Sequence, residues 1–196
     1  MNKFFRFPHT PHLLWLGAGI PRDDKVLSLP DAGRLIAGEV VVEEKLDGAN
    51  LGFSVGPDGR LRVQNRGQYL AAPYSGQFSR LATWIGMHEN TLVEMLGLNL
   101  ILFGEWCAAR HSLDYADLPD WFLAFDVYDT SAEKFWSTVR SNQLASRASI
   151  AVVPSLFRGK ASLAFLKSLL VQESSQFRSG TLEGIVIRKE SRDFNP

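Results

Sequence analysis

The chain has one cysteine, Cys107, in 196 residues. An internal disulfide framework is excluded, and the composition fits a reducing compartment. No charge of one sign prevails: 21 Lys and Arg balance 21 Asp and Glu. Pooled charge therefore points to no polyanionic partner, although it leaves room for a local basic patch. No apolar run approaches the roughly 20 residues that a bilayer-spanning helix needs. The opening MNKFFRFPHTPHLLWLG is interrupted by Pro8, His9, Pro11 and His12, which makes a poor signal peptide. The four histidines, His9, His12, His88 and His111, have no metal-ligand spacing, and no internal repeat or low-complexity tract is present. With these classes set aside, a soluble, cytoplasmic protein with no membrane partner is the expectation.

What is present is a core: 45% of the residues are hydrophobic, enough for one sizeable globular domain. Residues 1–38 are rich in Pro, Gly and polar side chains and are read as an N-terminal segment packing on the domain, with one short helix in RDDKVLSLPDAGRLIAG. From residue 39 the pattern changes. EVVVEEK and NLGFSV read as strands, and GPDGR supplies turn chemistry for a hairpin into LRVQNRG. Phe78, Leu81, Ile85, Leu92 and Met95 have near-helical spacing, in one helix or two split at Gly86. NLILFGEWC and WFLAFDVYD read as strands. SAEKFWSTVRSNQLASRA reads as a helix capped by Ser131, SLAFLKSLLVQESSQF as a second amphipathic helix and TLEGIVIRKE as a last strand. Strands with helices between and after them predict an α+β domain with mainly antiparallel sheets. The sequence ends at SRDFNP with no further helix or strand.

Four of these strands carry charged or amide residues at their ends: Lys45 with Asp47 and Asn50, Arg66, Glu105 and Glu183. Any one alone is more often a solvated strand terminus, because Lys, Arg and Glu are mostly exposed. Gly104 and Gly184 beside Glu105 and Glu183 shift that balance, since glycine in a strand marks close approach to the backbone. Together they form a nucleotide-type constellation with an aromatic wall. A lysine can attack the α-phosphorus of a nucleotide as its neutral amine, given a site that favours deprotonation. Carboxylates can hold Mg²⁺, often through water, while others accept ribose hydroxyls.

Lys45-Leu46-Asp47-Gly48 resembles the K-x-D-G nucleophile motif of covalent nucleotidyltransferases: ATP-dependent DNA ligases, RNA ligases and mRNA capping enzymes. The resemblance continues in the family's order. Arg66 follows the nucleophile hairpin, Phe103-Gly104-Glu105 is similar to motif III, residues 122–127 to motif IIIa, and residues 182–187 to motif IV. Asn50, where DNA ligases and capping enzymes usually have arginine, resembles the K-x-x-G-x-N of nick-sealing RNA ligases. The segments FPHTPHLLWLG and VVEEKLDGANLGF look like a group of bacterial and phage RNA ligase-domain proteins.

This resemblance implies an adenylyltransferase catalytic domain over residues 39–196, of the nucleotidyltransferase (ATP-grasp-like ligase) fold, with a nucleotide pocket between its sheets. It implies ATP and Mg²⁺ (or Mn²⁺) as cofactors. Lys45 would become lysyl-AMP, AMP would pass to an RNA 5′-phosphate end, and a 3′-hydroxyl, across a nicked duplex or otherwise, would seal it. Glu44 would lie near adenine, Asp47 and Gly48 would shape the turn, and Asn50 and Arg66 would contact ribose, phosphate or an RNA end. Glu105 would accept the ribose hydroxyls, Phe125 would stack on adenine and Glu183 would bind metal. For Phe125 a core position stays open, as does an exposed strand position for Glu44. Cys107 is read as a buried small residue rather than a reactive thiol. The family's motif V, with two lysines that reach the α-phosphate, has no match after Glu183, so the domain is expected to be truncated before it. A DNA ligase, a capping guanylyltransferase and a non-catalytic nucleotide- or RNA-binding module remain the alternatives.

Overall fold

A computed structural model describes residues 4–16, 26–110 and 113–189. Residues 1–3, 17–25, the pair 111–112 with His111, and the terminal 190–196 lie outside the described residues, as do the expectations that fall on them. The elements follow in the order α1 (Leu29–Ile36), β1 (Glu39–Glu44), β2 (Ala49–Val55), β3 (Leu61–Asn65) and β4 (Tyr69–Leu70). A single 3-10 turn at Gly76–Phe78 then leads to α2 (Leu81–Leu96), β5 (Leu100–Trp106), β6 (Phe122–Asp129) and β7 (Lys134–Phe135). The chain continues through α3 (Thr138–Arg147), β8 (Ser155–Lys160), α4 (Leu163–Gln172) and β9 (Ile185–Lys189). Two antiparallel sheets result, one of six strands in the order β4-β3-β2-β5-β6-β7 and one of three in the order β8-β1-β9. No helix among the described residues is long and apolar enough to cross a membrane.

The large sheet has two different faces, as period-2 alternation requires. Leu51, Phe53, Leu102, Trp106 and Phe122 point to one side and pack with Trp84, Leu92 and Leu96 of α2 and Leu144 and Ala145 of α3. Asn50, Gly52, Phe103 and Glu105 alternate to the other. There Phe5 and Phe7 of the N-terminal segment cover Phe103, Tyr128 and Phe135. Further along, Leu13 packs against the small sheet's cluster of Val40, Val42, Leu166 and Leu169, so the N-terminal segment touches both sheets. β1 is central in its sheet, and Val40, Val41 and Val42 are all fully buried. That explains why EVVVEE reads as a continuous apolar run without alternation.

β6 contains an irregularity that matters for the site. Phe103 pairs with Asp126 but Gly104 pairs with Ala124, which leaves Phe125 as an extra residue with no partner on β5. Such a bulge sends two successive side chains to the same face. Phe122, Ala124 and Val127 thus stay in the core, while Phe125 and Asp126 both turn away from it.

The remaining differences from the sequence reading have local causes. α2 is one helix through Gly86. The helix expected from Ser131 begins at Thr138 instead, capped by Ser137, whose hydroxyl accepts the Arg140 N–H. The Asp129 carboxylate accepts from the backbone of Ser131 and Ala132, and Glu133 adopts φ +54, a left-handed conformation that a right-handed helix cannot contain. The chain therefore turns at Ser131 and forms β7 before the helix. β8, in SLFRGK, had no clear strand pattern; it lies at the sheet edge, only partly buried. Glu183 lies just ahead of β9 rather than on it.

Candidate functional site

A cleft of about 1220 Å³ is lined by both sheets, by α4 and by the N-terminal segment. Lys45 follows the last residue of β1, and the ladder with β9 runs out beside it: its N–H donates to the Gly184 carbonyl at 3.0 Å. The aliphatic part of Lys45 lies against Gly184, where an added Cβ would come within 3.2 Å of it. Its Nζ forms a hydrogen-bonded ion pair with Glu183, and the lysine side chain keeps 45% exposure. The predicted nucleophile and the predicted metal ligand thus meet at adjacent strand ends.

Glu105 faces the same space from β5, directly across from its ladder partner Asn50 on β2. One of its oxygens accepts the Gly48 N–H at 3.1 Å. Gly48 is required sterically: a Cβ there would lie 2.5 Å from the Trp106 carbonyl oxygen. Burial pushes the Glu105 carboxyl up to about 7, and Glu183 adds to that rise. Lys45, the Gly48 N–H and Arg66 oppose it. The Nε of Arg66 and the Oδ1 of Asn50 are buried in this cleft with no hydrogen-bond partner among the described residues. Buried polar atoms are seldom left unpaired, so one orphaned donor and one orphaned acceptor mark where a polar ligand would bind. Arg6 fastens the Arg66 turn to the N-terminal segment, its Nε donating to the Arg66 carbonyl at 3.1 Å.

Phe125 lines the cleft, with Phe7 edge-on at 5.3 Å between ring centroids. Phe122 is fully buried on the opposite face, so of these two rings it is Phe125 that reaches the cleft. Glu44 also reaches the cleft, but it is not the exposed strand residue that remained open. It is 2% exposed and accepts from Ser175 Oγ and the Gln176 N–H, tying β1 to the segment before β9. Asp47 is the one predicted site residue that does not line the cleft. Its carboxylate accepts the Leu113 N–H, and its own N–H donates to the Tyr115 hydroxyl, so it fastens the turn after Lys45 to the 113–115 loop. Cys107 is buried, and burial with nearby carboxylates raises its thiol well above the ordinary range. A reactive thiolate is not favoured there.

Sequence reasoning missed the ionic group beneath the cleft. Arg188 of β9 donates through Nε to Glu43 at 2.6 Å and through Nη1 to Asp126 at 2.7 Å. Burial raises the Asp126 carboxyl to about 6, with Arg188 opposing and Glu43 adding to the rise. The acid in EVVVEE and the aspartate in FLAFDVYD resemble strand-end acids, and only the bulge and the approach of the two sheets join them.

Among the described residues, no group of three or more His, Cys, Asp or Glu is arranged to hold a metal ion. A divalent cation at Glu183 would take most of its ligands from water and from the nucleotide. That suits Mg²⁺, which commonly binds through one or two carboxylates and substrate phosphates.

A family model described as RNA ligase matches residues 38–195. The chain belongs to the RNA ligase family. No curated protein matches it. Solved structures with the same fold include Naegleria gruberi RNA ligase with PPi, at TM-score 0.68 and 19% identity over 85% of this chain and 51% of that one. A lysine-to-alanine variant of that ligase with ATP and Mn matches at TM-score 0.64 and 17% identity, over the same shares of the two chains. A lysine-to-methionine variant with AMP and Mn matches at TM-score 0.67 and 19% identity, over 82% of this chain and 49% of that one. This RNA ligase-family chain therefore has the nucleotidyltransferase fold predicted from its motifs, and it spans about half the length of the solved ligases it matches.

Proposed function

We propose that the cleft binds ATP and that the protein acts as an ATP-dependent RNA ligase through a covalent lysyl-AMP on Lys45. The observation that carries this reading is the convergence of Lys45, Glu183, Glu105, Asn50, Arg66 and Phe125 on one cleft, where Arg66 Nε and Asn50 Oδ1 have no hydrogen-bond partner among the described residues. Glu105 accepts the ribose hydroxyls, Phe125 gives the base an aromatic face, and Arg66 and Asn50 satisfy their free valences on phosphate and hydroxyl groups. Asp47 acts at one remove, by setting the turn that aims Lys45.

In the first step Nζ attacks the α-phosphorus as a neutral amine; an N–P bond forms, a P–O bond breaks and pyrophosphate leaves. An amine engaged by a carboxylate is not free to attack, so Glu183 must release Lys45 when nucleotide binds. Glu183 would hold Mg²⁺ or Mn²⁺, which when bound would neutralise charge on the phosphates. A 5′-phosphate oxygen of RNA then attacks the lysyl-AMP phosphorus and returns the amine. Finally a 3′-hydroxyl, held against a nick or free end, displaces AMP and joins the strands.

The test is incubation of the protein with Mg²⁺ or Mn²⁺ and α-labelled ATP or GTP. The expected result is label from ATP that survives denaturation and alkali but is lost in acid, as a P–N bond requires. Label from GTP would assign a capping-type guanylyltransferase instead, and no label from either would favour a binding module.

A further inference from the structure

Arg188 is a cation lining a cleft read as a phosphate-binding site, so a phosphate contact is the simplest role for it. Its surroundings argue otherwise. The side chain is 17% exposed, and it spends Nε on Glu43 of β1 and Nη1 on Asp126 of β6, which belong to different sheets. Two carboxylates already answer its one positive charge. Its Cζ also lies over the ring of Phe125, 5.8 Å from the centroid, within the range of a cation–π contact. Phe125 is the bulged residue immediately before Asp126, so the strand that Arg188 grips is held at the point where the ring emerges. A planar guanidinium reaches both carboxylates at once, which a lysine ammonium cannot do in the same geometry.

We propose that Arg188 is a positioning residue for base recognition: by joining Glu43 to Asp126 across the two sheets, it fixes the ring of Phe125 in the nucleotide cleft. This rests on the reading of the cleft as an ATP site. Arg188 then governs affinity for the nucleoside part of ATP and leaves the triphosphate contacts to other groups.

The experiment measures binding of ATP and of inorganic tripolyphosphate to the wild type, Phe125→Ala, Arg188→Lys, Asp126→Asn and the Phe125→Ala/Arg188→Lys pair, with a thermal melt of each. Phe125→Ala and Arg188→Lys are each expected to weaken ATP binding roughly tenfold, the scale of one lost base–aromatic contact. Tripolyphosphate affinity should stay within about twofold of wild type, and the double variant should bind ATP no worse than Phe125→Ala alone. Asp126→Asn should follow Arg188→Lys, and it carries the test if Arg188→Lys does not fold. Equal weakening toward ATP and tripolyphosphate would overturn the proposal, because Arg188 would then be a phosphate contact or a general scaffold. So would additive losses, or an Arg188→Lys protein that binds ATP like the wild type while Phe125→Ala does not. If neither Phe125→Ala nor Arg188→Lys changes ATP binding, or the wild type binds no ATP, the reading of the cleft fails first and takes this inference with it.

Discussion

Lys45 and Glu183 lie 138 positions apart in the chain and close a hydrogen-bonded ion pair where β1 and β9 end side by side. The ladder sets the meeting, because Glu44 pairs with Ile185 and the next backbone bond joins Lys45 to Gly184. Lys45→Ala should abolish nucleotide labelling while changing stability by less than about 1 kcal/mol, since partly exposed ion pairs contribute little. Labelling and urea unfolding of the same preparation check both halves. Persistent label would place the nucleophile elsewhere.

Glu183→Ala should reduce labelling much more than it weakens ATP binding measured without divalent cation. Titrating ATP with and without Mg²⁺ separates the two. Equal losses under both conditions would remove the metal role from Glu183.

Gly48→Ala should destabilise the fold by about 1–3 kcal/mol, because the new methyl group meets the Trp106 carbonyl, a backbone atom that cannot swing aside. It should also weaken ATP binding, since the Gly48 N–H that orients Glu105 would be displaced. Denaturant midpoints and ATP titrations report the two effects. A variant as stable as the wild type would show that the turn can relax.

Glu105 and Asp126 both have carboxyls raised by burial, to about 7 and about 6. Between the ordinary carboxylate range and those values the folded protein binds more protons than the unfolded chain. The sign follows from linkage: unfolding free energy should fall as pH rises from about 5 to about 8. Glu105→Gln should flatten that slope and stabilise the protein at the alkaline end, while lowering its affinity for ATP. Urea unfolding at several pH values checks this; a stability that climbs across the window would contradict it.

Much of the fold could be read from the sequence, because the strands around the site carry their own signals. Val40–Val42 form a run that only a doubly covered strand tolerates, and alternation in β2 and β5 puts Asn50 and Glu105 on one face. Lys45, Gly48 and Glu183, singled out by the resemblance to the nucleotidyltransferase motifs, line one cleft. What could not be read depended on irregular backbone or distant partners. The Asp129 turn delays α3, and β8 forms at an edge where little burial patterns it. Asp47 looks like a site residue by position yet serves the 113–115 loop. The Glu43–Arg188–Asp126 group leaves no local signal, since its members sit on three strands of two sheets.

The bulge at Phe125 makes this aromatic ring separable from the strand that carries it. On either side, Phe122, Ala124 and Val127 keep their places in the core because the extra residue absorbs the change of phase. Excising Phe125 would restore plain alternation, with Ala124 still inward and Asp126 still outward. Excising Val127 would instead throw every later side chain of β6 onto the wrong face. One residue added at this point places a ring in the cleft without repacking the interior of the sheet. Length variation at this point changes what the cleft can hold before it changes whether the protein folds.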